Sequence, residues 1–345
     1  MAEPRNSEVD SATLPRGAST IRRLAGGFRV PNPAELADRF GILVAWAVII
    51  AMFSVVEPNT FFTFANLRIV LGTQAVLLIL ALALLLPLTV GEFDLSVTGA
   101  LGIALILIGY LNIIRGWSIL AAIAAALLSG VVIGLVNVFF VMVVRVESIV
   151  VTLGSGTMWL GVGYGIWGAN ISGVSDALVS VTRNNFILDV PFAFWYGLLL
   201  TLLFWYLYAL TPLGRYLYFV GANRQVSRLS GIPVSAIRAG SLMASAIVSS
   251  IAGIILAGVL GGSGPNIAAG YLLPAFAAVF LGATAISPGR FNPLGTFIAV
   301  YFLITGITGL ELLGFSGWVE NVFYGASLVL AVALSRLAAR RRFTQ

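Results

Sequence analysis

Long apolar runs recur along this chain, and they limit what it can become more than any other feature. "GILVAWAVIIAMFSVV" fills residues 41–56, and "IVLGTQAVLLILALALLLPL" fills residues 69–88. Roughly 20 mostly apolar residues carry a helix across the hydrocarbon core of a bilayer. Over the whole chain 59% of residues are hydrophobic and only 9% are charged, whereas a soluble domain carries about 25% charged residues. The strands of a membrane β-barrel would alternate apolar and polar residues, and these runs do not. The fold class expected is an all-α polytopic membrane protein with about ten transmembrane helices.

The spans are expected near 40–56, 68–88, 95–114, 117–142, 149–168, 192–210, 240–260, 271–286, 294–310 and 318–335. The eighth is short and opens on "YLLPAF", where Pro274 suits a first helical turn. Residues 1–38 read as a polar tail, broken by Pro4, Pro15, Pro31 and Pro33, without the apolar core of a cleavable signal. Residues 39–336 read as the membrane domain, with the 211–239 connection as its longest loop, and residues 337–345 as an Arg-rich tail.

All 19 basic residues are Arg, and Cys, His and Lys do not occur. That removes disulfides, thiol nucleophiles, Cys/His metal sites and imidazole relays, so neither metal nor cofactor is expected. A Walker A loop needs Lys, so the chain carries no such ATPase motor. A membrane enzyme would need a nucleophile, base or metal site, and these residues supply none.

The net charge of +6 would suggest nucleic acid for a soluble protein. In a membrane protein it reflects Arg-rich cytoplasmic loops, so the bilayer is the partner expected and nucleic acid is not. Ten spans with the N-terminus inside leave only Arg68, Arg115 and Arg183 outside. The other 16 Arg lie inside, including Arg5, Arg16, Arg22, Arg23, Arg29 and Arg39 around the first tail. Both termini are therefore expected in the cytoplasm of a plasma (inner) membrane protein.

Between the second and third spans lies "VGEFDLSVTG", residues 90–99, with two carboxylates, Glu92 and Asp94. Asp94 or Ser96 can accept from the free N–H groups that open the third span, and a carboxylate there faces the positive end of the helix dipole. Gly91 permits a tight turn. A later loop, "LGATAISPGRFNPLGTF", echoes this one: aligning Gly91 with Gly282 also aligns Ser96 with Ser287. The echo suggests two related halves split near residue 190, as in transporters built from internal repeats.

The 211–239 connection carries a punctuated helix. Asn223 reads as its N-cap, Gly231 as the residue just past its end and Pro233 as the stop. A helix of two turns, Arg224–Ser230, is marginal alone in water. Val226, Leu229 and Ile232 are its expected apolar anchors, and Arg224 and Arg228 its charge. It either lies on the bilayer or docks a cytoplasmic partner.

A secondary transporter normally places ionisable groups inside the membrane. Here the charges fall at turns and loops, and the expected interior is neutral and polar: Gln74, Asn137, Thr152, Ser155, Ser249 and Thr305 stand out. Such a lining suits a neutral, hydroxyl-rich solute. The same side chains also serve as glue between helices, at about 0.6 kcal/mol per bond.

Three segments resemble the ribose-type permeases of ABC importers, the sugar branch of a superfamily shared with branched-chain amino acid permeases. "VGEFDLSVTG" is similar to their G-G-x-D-L-S-V-G signature. "TPLGRYLYFVGANRQVSRLSGIPV" is similar to their cytoplasmic loop, T-x-x-G-R-x-x-Y-A-x-G-x-N-x-x-A-A-R-L-S-G-I. "AAVFLGATAISPGRFNPLGT" resembles their late A-A-x-x-L-G-G and G-x-x-x-G-T elements.

The resemblance implies a permease chain in a dimer of membrane subunits, with cytoplasmic ATPase subunits beneath and an extracytoplasmic solute-binding protein above. It makes Asn223, Arg224, Arg228, Leu229 and Gly231 the ATPase-coupling region. Glu92 and Thr98 replace glycines of the signature, and "YLLPAF" stands where Y-E-L-x-A-I is usual. Glu92 is expected on the exposed cytoplasmic face, near the ATPase or the exit. The rival reading is a self-contained facilitator or secondary transporter for a small polar solute.

Overall fold

The computed structural model describes residues 33–315 and 317–343, with side chains described from Phe40 to Ala333. The Arg of the first tail through Arg39, and Arg336 and Arg340–Arg342, have side chains outside the described residues.

The chain is helical almost throughout. In order come α1 (Pro33–Val56), α2 (Phe64–Thr73), α3 (Ala75–Thr89), α4 (Val97–Gly109), α5 (Ile119–Val138), α6 (Ser148–Ile166) and α7 (Asp176–Arg183). Then follow α8 (Phe192–Leu210), α9 (Pro212–Ala222), α10 (Arg224–Leu229), α11 (Val234–Leu260), α12 (Leu272–Gly282), α13 (Pro293–Leu312) and α14 (Trp318–Phe343). One π-helical turn, Tyr110–Ile114, extends α4, and another, Phe139–Val143, extends α5.

Among the described residues, seven stretches are long and apolar enough to cross a bilayer: Phe64–Thr89, Val97–Ile114, Ile119–Val143, Ser148–Ile166, Phe192–Leu210, Val234–Leu260 and Pro293–Leu312. Three shorter apolar helices, Phe40–Val56, Ala268–Gly282 and Trp318–Ala333, fall where the remaining spans were expected. Residues 33–38, expected in the polar tail, are helical and open α1. The seventh span begins earlier than expected, at Val234, so it takes in Arg238.

The core sits around α3. All fifteen residues of α3 are buried, and its sequence "AVLLILALALLLPLT" has no polar face. A helix that is apolar all round is a buried one. It packs against α8, α11, α12 and α13. α4 is nearly as enclosed, between α5, α6 and α11. By contrast α5, α6 and α8 turn Leu128, Leu153 and Leu199 outward. Apolar patches of this size on an exterior mark a surface meant for lipid or protein rather than water.

Several hydroxyls within these helices are satisfied locally: Thr73, Thr89, Thr201 and Ser249 each donate to the carbonyl four residues back. Side chain–to–backbone bonding of this kind meets the demand that polar groups in lipid find internal partners.

Two layers of connections close the bundle. On one side, the two-residue strands β1 (Ile171–Ser172) and β2 (Gly262–Ser263) pair antiparallel, Ile171 opposite Ser263. Arg183 Nε donates to the Val259 carbonyl nearby, and Arg68 pairs with Asp189. On the other side lie the 90–96 turn, the α5–α6 connection, α9, α10 and the loop before α13. There Tyr218 Oη donates to the Phe291 carbonyl at 2.7 Å. The two echoed loops enter their helices differently. Ser96 directly precedes α4, whereas Ser287 lies short of Asn292, which caps α13 by accepting from Gly295 N at 2.7 Å.

Candidate functional site

The 90–96 turn and α10 meet on one face, and their local sequences explain both shapes. α3 ends in a Schellman motif: Gly91 takes φ +77°, Glu92 N donates to the Pro87 carbonyl and Gly91 N to the Leu88 carbonyl. α10 ends the same way, with Gly231 at φ +77°, Ile232 N on the Ser227 carbonyl and Gly231 N on the Arg228 carbonyl. At its start Asn223 Oδ1 accepts from Gln225 N at 3.0 Å and Val226 N at 3.1 Å. The N-cap and the terminating glycine are where the sequence puts them. The same connection also holds α9, capped by Thr211 with Pro212 in its first turn. The Thr-Pro pair at 211–212 was the signal for it.

The side chains of α10 face the other way from their expected arrangement. Val226 is 58% exposed and Leu229 89% exposed, so neither anchors the helix. The buried residue is Ser227, and Ile232 packs against the core from just beyond. Arg228 is exposed, and Arg224 is the residue that reaches inward.

Glu92 is likewise not on the exposed face: it is 3% exposed. Its Oε1 receives Arg224 Nη2 at 2.6 Å and Arg238 Nε at 2.5 Å. Arg224 Nη2 also donates to the Gly91 carbonyl at 2.9 Å. A buried carboxylate is costly unless paired and hydrogen-bonded, and two guanidinium groups meet that demand. Arg238 was missed as a site residue. The available signal was that Glu92 is a carboxylate on a face where Arg predominates.

Asp94 is fully buried. Its Oδ1 accepts from Ser96 N at 3.0 Å and from Ser96 Oγ at 2.6 Å. It therefore fixes the residue before α4 rather than capping the N–H groups of the first turn of α4. Asn137 Nδ2 donates to Ser96 Oγ at 2.7 Å, and Ser155 Oγ donates to Asn137 Oδ1 at 2.6 Å. Asp94 Oδ2 has no hydrogen-bond partner among the described residues. Burial pushes the Asp94 carboxyl up, outweighing the Ser96 hydroxyl, the nearby Ser245 hydroxyl and the Ser96 N–H that pull it down.

The backbone of the turn is gripped by α6. Phe93 N donates to Ser148 Oγ at 3.2 Å and Leu95 N to Thr152 Oγ1 at 3.0 Å, while the single Thr152 hydroxyl proton is shared between the Ser148 carbonyl at 2.7 Å and the Phe93 carbonyl at 3.0 Å. Asn137, Thr152 and Ser155 thus come together around this turn. Ser249 bonds within α11. Thr305 Oγ1 accepts from Trp46 Nε1 at 3.0 Å, joining α13 to α1. Gln74, at the break between α2 and α3, lines a half-open pocket of about 300 Å³ in which Asn66, Thr73, Thr308, Glu311 and Glu320 mix with Ile69, Val70, Ile304 and Ile307.

These features define a polytopic helical protein of membrane type in which the turn between α3 and α4 is held by α6, α10 and α11. The chain belongs to the family described as the branched-chain amino acid transport system / permease component, whose model matches residues 66–332. It is 33% identical to the ribose import permease protein RbsC of Escherichia coli K12, over 84% of this chain and 91% of that protein. It is 28% identical to the autoinducer 2 import system permease protein LsrD of Photorhabdus laumondii, over 74% of this chain and 78% of that one. The LsrD of Yersinia enterocolitica is 29% identical over the same shares. The fold also overlaps a chain of PsaBC from Streptococcus pneumoniae in complex with Fab, covering 84% of this chain and 94% of that one, with a TM-score of 0.42 and 16% identity. That overlap is too loose to bear on function.

Proposed function

We propose that this chain is the membrane-spanning permease subunit of an ABC importer and moves a neutral sugar or sugar-like solute inward, powered by a separate ATPase subunit. α10 carries this reading. It is a short, capped helix fixed at its base by Arg224 and Ser227, with Val226 and Leu229 turned outward. An apolar side chain as exposed as Leu229 on the Arg-rich face fits a partner subunit. Asn223, Arg224, Arg228, Leu229 and Gly231 form this coupling region.

The relatives that import ribose and autoinducer 2 support a polyhydroxylated, uncharged solute. Gln74 and the cavity it shares are the proposed contact with the solute path. Asn137, Thr152, Ser155, Ser249 and Thr305 position the helices around that path. A solute-binding protein delivers from outside, and a second permease chain completes the membrane unit. Arg224 and Arg238 meet at Glu92, Arg290 lies over the Tyr218 ring of α9, and Arg215 and Arg228 belong to α9 and α10, which supports this face, and both termini with it, as cytoplasmic.

The test is co-purification from native membranes in mild detergent, with partners identified by mass spectrometry. An ATPase subunit and a solute-binding protein are expected. Recovery of this chain alone or only with itself would contradict the importer reading and favour a facilitator.

A further inference from the structure

We propose that Glu92 is a clasp that carries movement of the docking helix α10 into the turn between α3 and α4, making it a positioning residue for coupled transport. The proposal rests on the importer reading and adds a transmission route to it.

Glu92 and Arg224 are 132 residues apart in the chain, yet Arg224 Nη2 reaches Glu92 Oε1 at 2.6 Å and the Gly91 and Val90 carbonyls at 2.9 and 3.4 Å. One nitrogen thus ties α10 to three successive residues of the turn. The other direct restraints on α10 are modest, since Ser227 is its buried residue and most of its surface is exposed. Gly221 at the end of α9 packs on the Thr89 carbonyl beside the turn, but Arg224 is the α10 side chain that grips the turn itself.

The turn is well placed to pass a force on. Glu92 N closes the Schellman end of α3. Two residues later Asp94 begins the chain through Ser96 and Asn137 to Ser155, which reaches α5 and α6. Phe93 and Leu95 are held by Ser148 and Thr152 of α6. The turn thus joins the buried helix α3 to α4, α5 and α6, with α10 attached on its outer side.

Arg238 braces the clasp from a second helix. It belongs to α11, and its Nε shares the same Glu92 oxygen at 2.5 Å. The shared oxygen keeps the buried carboxylate neutralised from two helices, α10 and α11. Removing the Arg224 guanidinium would leave α10 able to move while the turn stays behind.

The absence of Cys from the chain makes the test direct. Spin labels on cysteines at Ser230 and Trp117 report the distance from α10 to the opposite face, and labels at Phe93 and Trp117 report the turn. The complex with its co-purified ATPase is measured without nucleotide and with ATP plus vanadate. In the otherwise wild-type complex both distances shift. In Arg224→Gln, which removes the guanidinium from Glu92 and from both carbonyls, the α10 distance still shifts and the turn distance stays at its nucleotide-free value. Glu92→Gln, which keeps an Oε1 acceptor and leaves the carbonyl bonds, gives a partial turn shift, and the double variant is no worse than Arg224→Gln. Glu92→Asp, which keeps the charge on a shorter arm, gives a reduced but measurable turn shift.

A turn that shifts fully in Glu92→Gln overturns the proposal, as does loss of the α10 shift in that variant, or a wild-type complex in which the turn does not move. Should Glu92→Gln not fold, a full turn shift in Arg224→Gln overturns it equally. If no ATPase co-purifies at all, the importer reading fails, which is a different result.

Discussion

Ser96 Oγ accepts a hydrogen bond from Asn137 Nδ2 at 2.7 Å, across 41 positions of sequence. The bond is the middle of a directional chain. Ser155 donates to Asn137, Asn137 to Ser96, and Ser96 to Asp94 Oδ1. Each donor already points toward Asp94, so the chain has one consistent orientation and ends on a carboxyl oxygen.

Asp94→Asn keeps an oxygen in the Oδ1 position, whereas Asp94→Leu removes the acceptor for both Ser96 N and Ser96 Oγ. A buried donor left unpaired costs about 1–3 kcal/mol. The Leu variant should lose about that much more stability than the Asn variant, seen as a lower unfolding midpoint in detergent. Equal losses would mean that the charge of Asp94, not its acceptor, holds the turn.

Burial raises the Asp94 carboxyl above its ordinary range, so the folded protein holds this proton more tightly than the unfolded chain. Its contribution is full at acidic pH, below the ordinary carboxylate range, and is lost as pH rises through the raised value. The stability gap between wild type and Asp94→Asn should therefore move in favour of Asn as pH increases. Unfolding midpoints of both proteins across pH 4 to 8, on the order of one pH unit per step, check the sign.

Several close helix contacts exist only because a glycine stands there. A Cβ on Gly221 would run into the Thr89 carbonyl oxygen, and one on Gly253 into the Leu101 carbonyl oxygen. Backbone cannot yield as a side-chain tip can, so Gly221→Ala and Gly253→Ala should each cost about 1–3 kcal/mol. At Gly154 of α6 a Cβ meets nothing within 4 Å, and Gly154→Ala should gain about 0.5–1 kcal/mol. Thermal unfolding of the three variants separates these outcomes.

The exposed face of α10 should matter for assembly and not for folding. Leu229→Ala should leave the unfolding midpoint of the isolated permease unchanged and weaken ATPase retention during purification. Asn223→Ala removes the acceptor for two backbone N–H groups and should cost the helix about 1 kcal/mol. A Leu229→Ala complex that keeps its ATPase through the same washes would argue against docking at this face.

Much of the architecture was legible because the bilayer demands long apolar runs and the chain supplies them in order. The caps of α10 were legible too, since Asn223 and Gly231 act within one or two turns of themselves. What escaped depended on partners distant in sequence. Glu92 reads as an exposed loop charge until Arg224 and Arg238 are brought to it from more than 130 positions away. Val226 and Leu229 read as anchors because apolar residues usually turn inward, and only the packing of α9 and α11 shows that Ser227 is the inward residue. Asn137, Thr152 and Ser155 stood out as polar groups in apolar helices, but their common focus on one turn required three helices to be placed.

The most direct test of the account is uptake by proteoliposomes containing the complex purified with its own ATPase and solute-binding protein, loaded inside with ATP and given radiolabelled D-ribose and other neutral sugars outside. The account predicts accumulation of at least one neutral sugar that requires both ATP and the binding protein, and that stops when the ATPase is removed. Equilibration of a sugar by this chain alone, at the same rate with and without ATP, would contradict it.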